Sequence, residues 1–243
     1  MLRKITVILF WILLLGYLFV SFSFVNDKKG AIILHEIKVK IKDSLDSGFV
    51  CFKDVEKIVK KEYPDWKGNS VYAINKEILE EKINQVPYVK KSEVYSSLAG
   101  NLVVEIHQRN PIVRVLHGHG YYIDEEGKKM PLSTKFTSRV LVVSGAVNEQ
   151  LIKEELFDLV KFITNDEFWR SQITQIHVTS GKEYILVPRV GAHKIELGRV
   201  DHYQKKFKKL YALYTNGFSK TGWNKYKRIN LKYENQVVCT KKN

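Results

Sequence analysis

The feature that most constrains this chain is an uncharged apolar run near its start, from Ile5 to Val25. Its roughly 21 residues match the ~20 that an α-helix needs to cross a bilayer core of ~30 Å. Phe22 and Phe24 stand at its end, where a cleavable signal peptide would carry small residues. Its polar residues lie near its ends, whereas a soluble core helix carries a polar stripe. The run therefore predicts an uncleaved transmembrane helix over residues 5–25.

The charges around this run predict how the chain is oriented. Arg3 and Lys4 precede it, which favours a cytoplasmic tail over residues 1–4 and a location outside the cytoplasm from Asn26 onward. The formal net charge is +14. In a cytosolic protein this excess would suggest nucleic acid, but no nucleic acid is expected at the predicted location, which favours acidic protein partners or an anionic membrane surface. From Asp201 onward, the chain has eleven Lys or Arg residues and only two acidic residues.

The first folded region predicts a strand, two helices and two further strands. Apolar and charged residues alternate through Ile37–Ile41, as in a half-buried strand. Amphipathic helices are predicted from Phe52 and from an Asn75 N-cap, and Val89–Ser96 and Leu102–Gln108 form a hairpin. This order places two helices on one face of a three-stranded sheet, and it leaves an edge strand where a partner strand can add.

The second region is rich in short strands. Asp124–Gly127 is predicted as a hairpin turn and Glu149–Thr164 as an amphipathic helix. Three strands between Ile173 and Leu197 form a meander. A helix over His202–Tyr214 follows, and RINLKYENQVVCT forms the last strands. We expect four lysines on the solvent side of that helix: Lys205, Lys206, Lys208 and Lys209.

The chain carries no recognisable catalytic motif or cofactor signature, so we predict that it is not an enzyme and needs no cofactor. His117-Gly118-His119 is the spacing closest to that of a metal site, but no cysteine pair or carboxylate cluster accompanies it. A membrane-anchored periplasmic hydrolase that uses His117 and His119 stays open as an alternative. Cys51 and Cys239 are predicted as small buried residues of different domains rather than as a disulfide.

The segment VPYVKKSEVYSSLAGNLVVEIHQRNPIVRV resembles the POTRA domain of the bacterial cell-division family FtsQ/DivIB. It departs from the family at Leu98-Ala99 and at Gln108, which we expect at turn or surface positions. INLKY resembles the family's isoleucine-aspartate-leucine-arginine-tyrosine box, with Asn230 and Lys232 as replacements. The POTRA likeness rests on these positions: Pro87, Val89, Val94, Leu102, Val104, Ile106, Arg109 and Pro111.

The resemblance implies an α+β chain with a transmembrane helix, a POTRA domain over residues 31–111 and a C-terminal mixed β domain with flanking helices over residues 112–243. It also implies a divisome assembly protein of the septum, whose last strand accepts a strand of FtsB, in complex with FtsL. The POTRA edge would engage other divisome proteins. By position, the partner contacts fall on Lys232, Tyr233, Asn235 and Gln236. A POTRA-bearing factor for outer-membrane protein assembly or secretion is the other alternative.

Overall fold

The computed structural model describes residues 2–29, 32–42, 48–218 and 222–242. It divides into two compact units, Met1–Gln108 and Arg109–Asn243. The helices are α1 (Leu2–Lys29), α2 (Phe52–Glu62), α3 (Lys76–Asn84), α4 (Glu149–Leu151), α5 (Phe157–Asn165), α6 (Glu167–Gln172) and α7 (Tyr203–Ala212). The strands of the first unit are β1 (Glu36–Lys42), β2 (Val89–Ser96) and β3 (Asn101–Gln108). Those of the second unit are β4 (Pro111–Val115), β5 (Tyr121–Asp124), β6 (Lys129–Pro131), β7 (Leu141–Gly145), β8 (Ile173–Val178), β9 (Tyr184–Pro188), β10 (Lys194–Gly198), β11 (Tyr226–Asn230) and β12 (Val238–Lys241).

Helix α1 contains the predicted membrane segment. Among the described residues it is the one helix that is long and apolar enough to cross a bilayer, and its Lys4–Ser21 stretch is not buried against the rest of the protein. The polar residues 26–30 predict a short joint after the membrane segment, but the helix continues through Lys29. The residue types over residues 43–48 predict a turn, and this segment lies largely outside the described residues.

The first unit has the predicted order of elements. Its sheet runs β1-β3-β2, with β1 parallel and β2 antiparallel to the central strand. Asn75 caps α3 as predicted, since its Oδ1 accepts a hydrogen bond from the Ile78 N–H at 3.2 Å. The helices and the sheet share one hydrophobic core. Fully buried members of this core are Leu34, Val59, Leu79, Leu102, Val104 and Ile106.

Gln108 corrects one sequence expectation, because it does not lie at the surface. Its side chain is 6% exposed, and its Oε1 accepts a hydrogen bond from the Val50 N–H at 3.1 Å. Gln108 is the last residue of β3 and shares the inward face with Leu102 and Ile106. An amide fits this position because the buried backbone donor needs an acceptor. Leu98 is 92% exposed, as expected for a turn.

The second unit is built on one mixed sheet of nine strands in the order β12-β11-β10-β9-β8-β7-β4-β5-β6. Three neighbouring pairs are parallel, β4–β7, β7–β8 and β10–β11. The predicted helix over residues 149–164 is present, with a π-helical turn at Ile152–Leu156 between α4 and α5. The helical spacing of its apolar residues predicts six inward positions, and all six are buried: Leu151, Ile152, Leu156, Leu159, Val160 and Ile163.

Helix α7 corrects a second expectation. Lys206 was predicted on the solvent side but is 9% exposed. Its Nζ donates hydrogen bonds to the Arg199 carbonyl at 2.8 Å and to Asp201 Oδ1 at 3.0 Å. The aliphatic stem of a lysine can pack against apolar neighbours while its amine finds oxygen acceptors, so a helical wheel alone misassigns such a residue. Lys205 and Lys208 are exposed as predicted.

The predicted hairpin at Asp124 is confirmed and rests on a buried ion pair. Arg109 Nη1 lies 2.8 Å from Asp124 Oδ2, and both side chains are almost fully buried. The other oxygen, Asp124 Oδ1, accepts hydrogen bonds from the N–H groups of Glu126 and Lys128. This carboxylate pairs with a cation and also closes the turn. It therefore fixes β5 and β6 at the edge of the large sheet opposite β12.

Candidate functional site

The candidate site is the open edge of the large sheet at β12. This strand pairs antiparallel with β11 through Arg228–Thr240, Ile229–Cys239 and Asn230–Val238. No described strand lies on its other side. An unpaired edge presents main-chain donors and acceptors that another extended segment can use.

The ladder of hydrogen bonds identifies which main-chain groups face outward. The Leu231 N–H donates to the Glu196 carbonyl of β10, so the main-chain groups of Leu231 face β10. Main-chain groups alternate in direction along a strand, so those of the β11 residues that alternate with Leu231 face β12. Those residues are Arg228 and Asn230, the partners of Thr240 and Val238. The Lys242 N–H donates to the Lys225 carbonyl and continues this pattern. The N–H and C=O groups that face the open side therefore belong to Val237, Cys239 and Lys241.

The edge strand is attached to the hydrophobic core through its neighbour. Ile229 and Leu231 are fully buried, and the half-buried Val237 and Cys239 pack against the same core. Beneath β11, the ring of Tyr226 stacks on Phe218 at 5.7 Å, and Phe218 contacts Trp223 at 5.3 Å. These contacts anchor β12 and its neighbour β11 to the core, although no described strand pairs with the other side of β12.

All four predicted contact residues lie in the bend between β11 and β12, not in the edge strand itself. Lys232, Tyr233, Asn235 and Gln236 are exposed there, and Tyr233 is half exposed. Asn230 Oδ1 accepts a hydrogen bond from the Lys232 N–H at 2.9 Å, which starts the bend. The structure thus brings the four residues together beside the amino-terminal end of β12.

Lys209 is a residue of this site that the sequence pattern missed. Its Nζ donates to the carbonyls of Tyr233 and Glu234, the latter at 3.0 Å, and so holds the bend against α7. Burial lowers the pKa of Lys209 below its ordinary value, with Lys206 acting in the same direction. The pattern placed Lys209 among solvated lysines, because nothing local in the sequence predicts a contact 24 residues away.

The surroundings of the edge are strongly basic. Arg228 pairs with Glu196 at 3.3 Å, and Lys232 pairs with Glu183 at 2.6 Å. Other cations beside the edge are exposed: Lys225, Lys227, Lys241 and Lys242. This distribution would attract an acidic partner and accelerate its encounter.

The outer edge of the small sheet is closed in a different way. The Ser92 N–H of β2 donates to Asn84 Oδ1 at 2.8 Å, and the Val94 N–H donates to Glu80 Oε1 at 2.5 Å. Both acceptors belong to α3, so side chains occupy two of the donors that an added strand would need. Of the two edges in this three-stranded sheet, β1 is the one that lacks such described caps.

The histidines and cysteines do not assemble into a site among the described residues. His117 and His119 are exposed in the connection between β4 and β5. The described part of the chain holds no group of three or more potential metal-ligating side chains. Cys51 and Cys239 are free, half buried and in different units. Burial raises the pKa of the Cys239 thiol.

Comparison with known proteins assigns both units. A family described as POTRA-like domain matches residues 33–107, and a family described as FtsQ/DivIB, C-terminal related, matches residues 110–240. The chain is thus a protein in which a POTRA-type domain precedes a mixed β domain. Since the second match covers more than half of its length, the chain belongs to the FtsQ/DivIB family of cell-division proteins.

One curated relative is the Cell division protein FtsQ of Geotalea daltonii (strain DSM 22248 / JCM 15807 / FRC-32). It is 22% identical over 186 residues, which cover 72% of this chain and 66% of the relative. The match therefore spans slightly less than two thirds of that protein. The N-terminal apolar helix of this chain and its similarity to that protein fit a single-pass membrane protein of the division machinery.

Proposed function

We propose that this chain is a non-enzymatic assembly protein of the divisome that recruits an FtsB/FtsL-type complex by strand addition to β12. Family membership supports the role in division. The observation that carries the mechanism is the row of outward main-chain groups at Val237, Cys239 and Lys241. Backbone pairing supplies affinity, and the flanking cations supply attraction to acidic residues.

The position of the bend gives the partner strand a direction. A strand that pairs antiparallel to β12 runs with its carboxyl end toward Val238 and then reaches the bend. There it meets the predicted contact residues Lys232, Tyr233, Asn235 and Gln236. Half-exposed Tyr233 offers a broad apolar ring with a polar tip, a combination enriched at protein interfaces.

The membrane arrangement completes this proposal. Helix α1 anchors the protein in the inner membrane, and Arg3 and Lys4 keep its amino terminus in the cytoplasm. Both folded units then work in the periplasm at the septum. In the POTRA unit, β1 is the edge that remains for other divisome proteins, because Asn84 and Glu80 occupy donors of β2.

A proline substitution tests the strand-addition mechanism directly. Cys239→Pro removes an outward N–H, and proline is tolerated on an edge strand where its nitrogen faces away from the neighbour. We expect the variant to lose co-purification with FtsB/FtsL, while Cys239→Ala, which keeps the N–H, retains it. Hydrogen exchange of residues 226–231 shows whether β11 is intact. Undiminished capture by Cys239→Pro with an intact β11 would refute strand addition.

Depletion of the protein in cells tests the broader role. We expect filaments without septa, as for loss of a division protein. Restoration by the wild-type chain and by Cys239→Ala, but not by Cys239→Pro, would connect division to the open edge. Loss of outer-membrane proteins with normal septa would contradict the divisome role and favour the outer-membrane assembly alternative.

A further inference from the structure

A second candidate binding site lies within the C-terminal unit, away from β12. It is a cleft of about 580 Å³ at the point where the amino-terminal residues of three parallel strands meet. Pro111, Leu141 and Ile173 begin β4, β7 and β8, and all three line it. These strands are fifth to seventh in the sheet order counted from β12, so the cleft is independent of the proposed edge site.

The cleft is lined by four cations from four different segments. Arg139 precedes β7, Lys161 lies on α5, Arg170 lies on α6 and Arg189 follows β9. In the part of the chain that the structure describes, none of the four forms an ion pair with a carboxylate. The acidic residue in the lining is Glu125. The cleft therefore carries an excess of positive charge that the described residues do not neutralise.

Arg189 is held in place while most of its donors stay available. Its Nε donates to the Ser171 carbonyl at 2.9 Å, and its backbone N–H donates to the Gln172 carbonyl. A guanidinium has five N–H donors, and the four on its Nη atoms make no described hydrogen bond. A guanidinium fixed in this way is preorganised for a carboxylate, which it can bind through two parallel hydrogen bonds.

The rest of the lining distinguishes between kinds of anion. Ile112, Val140 and Val142 are partly exposed, and they line the cleft together with the cations. An apolar surface contributes nothing to a free phosphate, but it stabilises a ligand that also has apolar side chains. We propose that this cleft binds a protein segment in which carboxylate and apolar side chains alternate, with carboxylates paired to Arg139 and Arg189.

The full chain in neutral detergent can be tested with a fluorescein-labelled peptide of three Glu-Leu repeats. We expect saturable binding by fluorescence anisotropy at low ionic strength, and at least tenfold weaker binding of the matched Gln-Leu peptide. Arg139→Glu/Arg189→Glu should abolish binding of the acidic peptide. Arg139→Glu/Arg170→Glu is a second test variant, because neither of its side chains has a described hydrogen bond that supports the fold.

Two controls locate the binding. Lys53→Glu/Lys57→Glu makes the same charge change on exposed residues of α2 and should leave the affinity within about twofold. Lys227→Glu/Lys241→Glu makes the same charge change beside β12. Failure of the acidic peptide to bind, equal binding of the Gln-Leu peptide, or loss of binding through the β12 variant alone would each overturn the proposal. Competition by inorganic phosphate better than by sulfate at constant ionic strength would also overturn it, in favour of a phosphate site.

Discussion

The edge strands β2 and β12 differ in what happens to the main-chain groups that no neighbouring strand pairs. At β2, Asn84 and Glu80 of α3 accept hydrogen bonds from the strand's outward N–H groups. At β12, described side chains take no part in such bonds, and Lys209 fastens the preceding bend instead. One edge is closed by side chains, and the other is anchored through its bend and the core while its backbone stays open. An open edge that is already extended suits the proposed strand addition, because less ordering then opposes binding.

The largest effect is expected from removing the support beneath the open edge. Leu231→Ala deletes a fully buried side chain where β11 enters the bend, and large-to-small changes of this kind cost about 2–5 kcal/mol. We expect faster hydrogen exchange in residues 226–241 and loss of partner capture. Val238→Ala, at a side chain that is 40% exposed, is the matched control. Unchanged exchange in Leu231→Ala would show that β12 does not depend on this anchor.

Opening the closed edge should have the next largest effect. Glu80→Ala leaves the Val94 N–H without its acceptor, at a cost of about 1–2 kcal/mol. It also exposes a pairing site on β2, so we expect faster exchange in residues 89–96 and concentration-dependent self-association by analytical ultracentrifugation. Glu81→Ala, at a neighbouring exposed position, should do neither. A monomeric Glu80→Ala with normal exchange would remove the distinction between the two edges.

A smaller effect is expected at the bend. Lys209→Met keeps the aliphatic stem but removes the donor to the carbonyls of Tyr233 and Glu234, which is worth about 1 kcal/mol in a partly exposed setting. Partner affinity should fall about fivefold through a less ordered bend. Lys208→Met controls for the loss of one charge on α7. Equal affinities of the two variants would mean that the Lys209 contact does not organise the site.

The smallest effect concerns the Cys239 thiol. Because burial raises its pKa, less thiolate is present at a given pH in the folded protein than in the unfolded chain. Iodoacetamide should therefore modify native Cys239 more slowly, with a rate that rises at higher pH than in denaturant. Bound partner should slow the reaction further, since the added strand covers this edge. Equal rates with and without partner would place the partner elsewhere.

Much of the fold could be predicted because it follows local periodicity. Alternation identified β1, β2 and β3, and helical spacing identified the inward residues from Leu151 to Ile163. The same alternation places Gln108 on the inward face, but its polarity suggested the surface. Its acceptor role is visible only when Val50 is brought beside it.

The site could be predicted only in part. The terminal strand at the sheet edge follows from strand order and resemblance, but the exact position of the bend does not. Lys209 and Glu80 act through partners that lie 24 and 14 residues away, on elements that meet only in the folded chain. Their residue types are ordinary helix-surface types, so no local signal separates them from Lys208 and Glu81. Tertiary contacts, rather than propensity, decide which edge is open.

The order of the strands also has a consequence for biosynthesis. β12 follows every other described strand of its sheet in sequence, and it adds to β11, which itself requires β10 as a parallel neighbour across α7. The open edge at β12 therefore depends on the pairing of β11 with β10. If β12 is the docking edge, as proposed above, a chain that ends before β12 or whose β domain misfolds should offer its partner no strand to pair with.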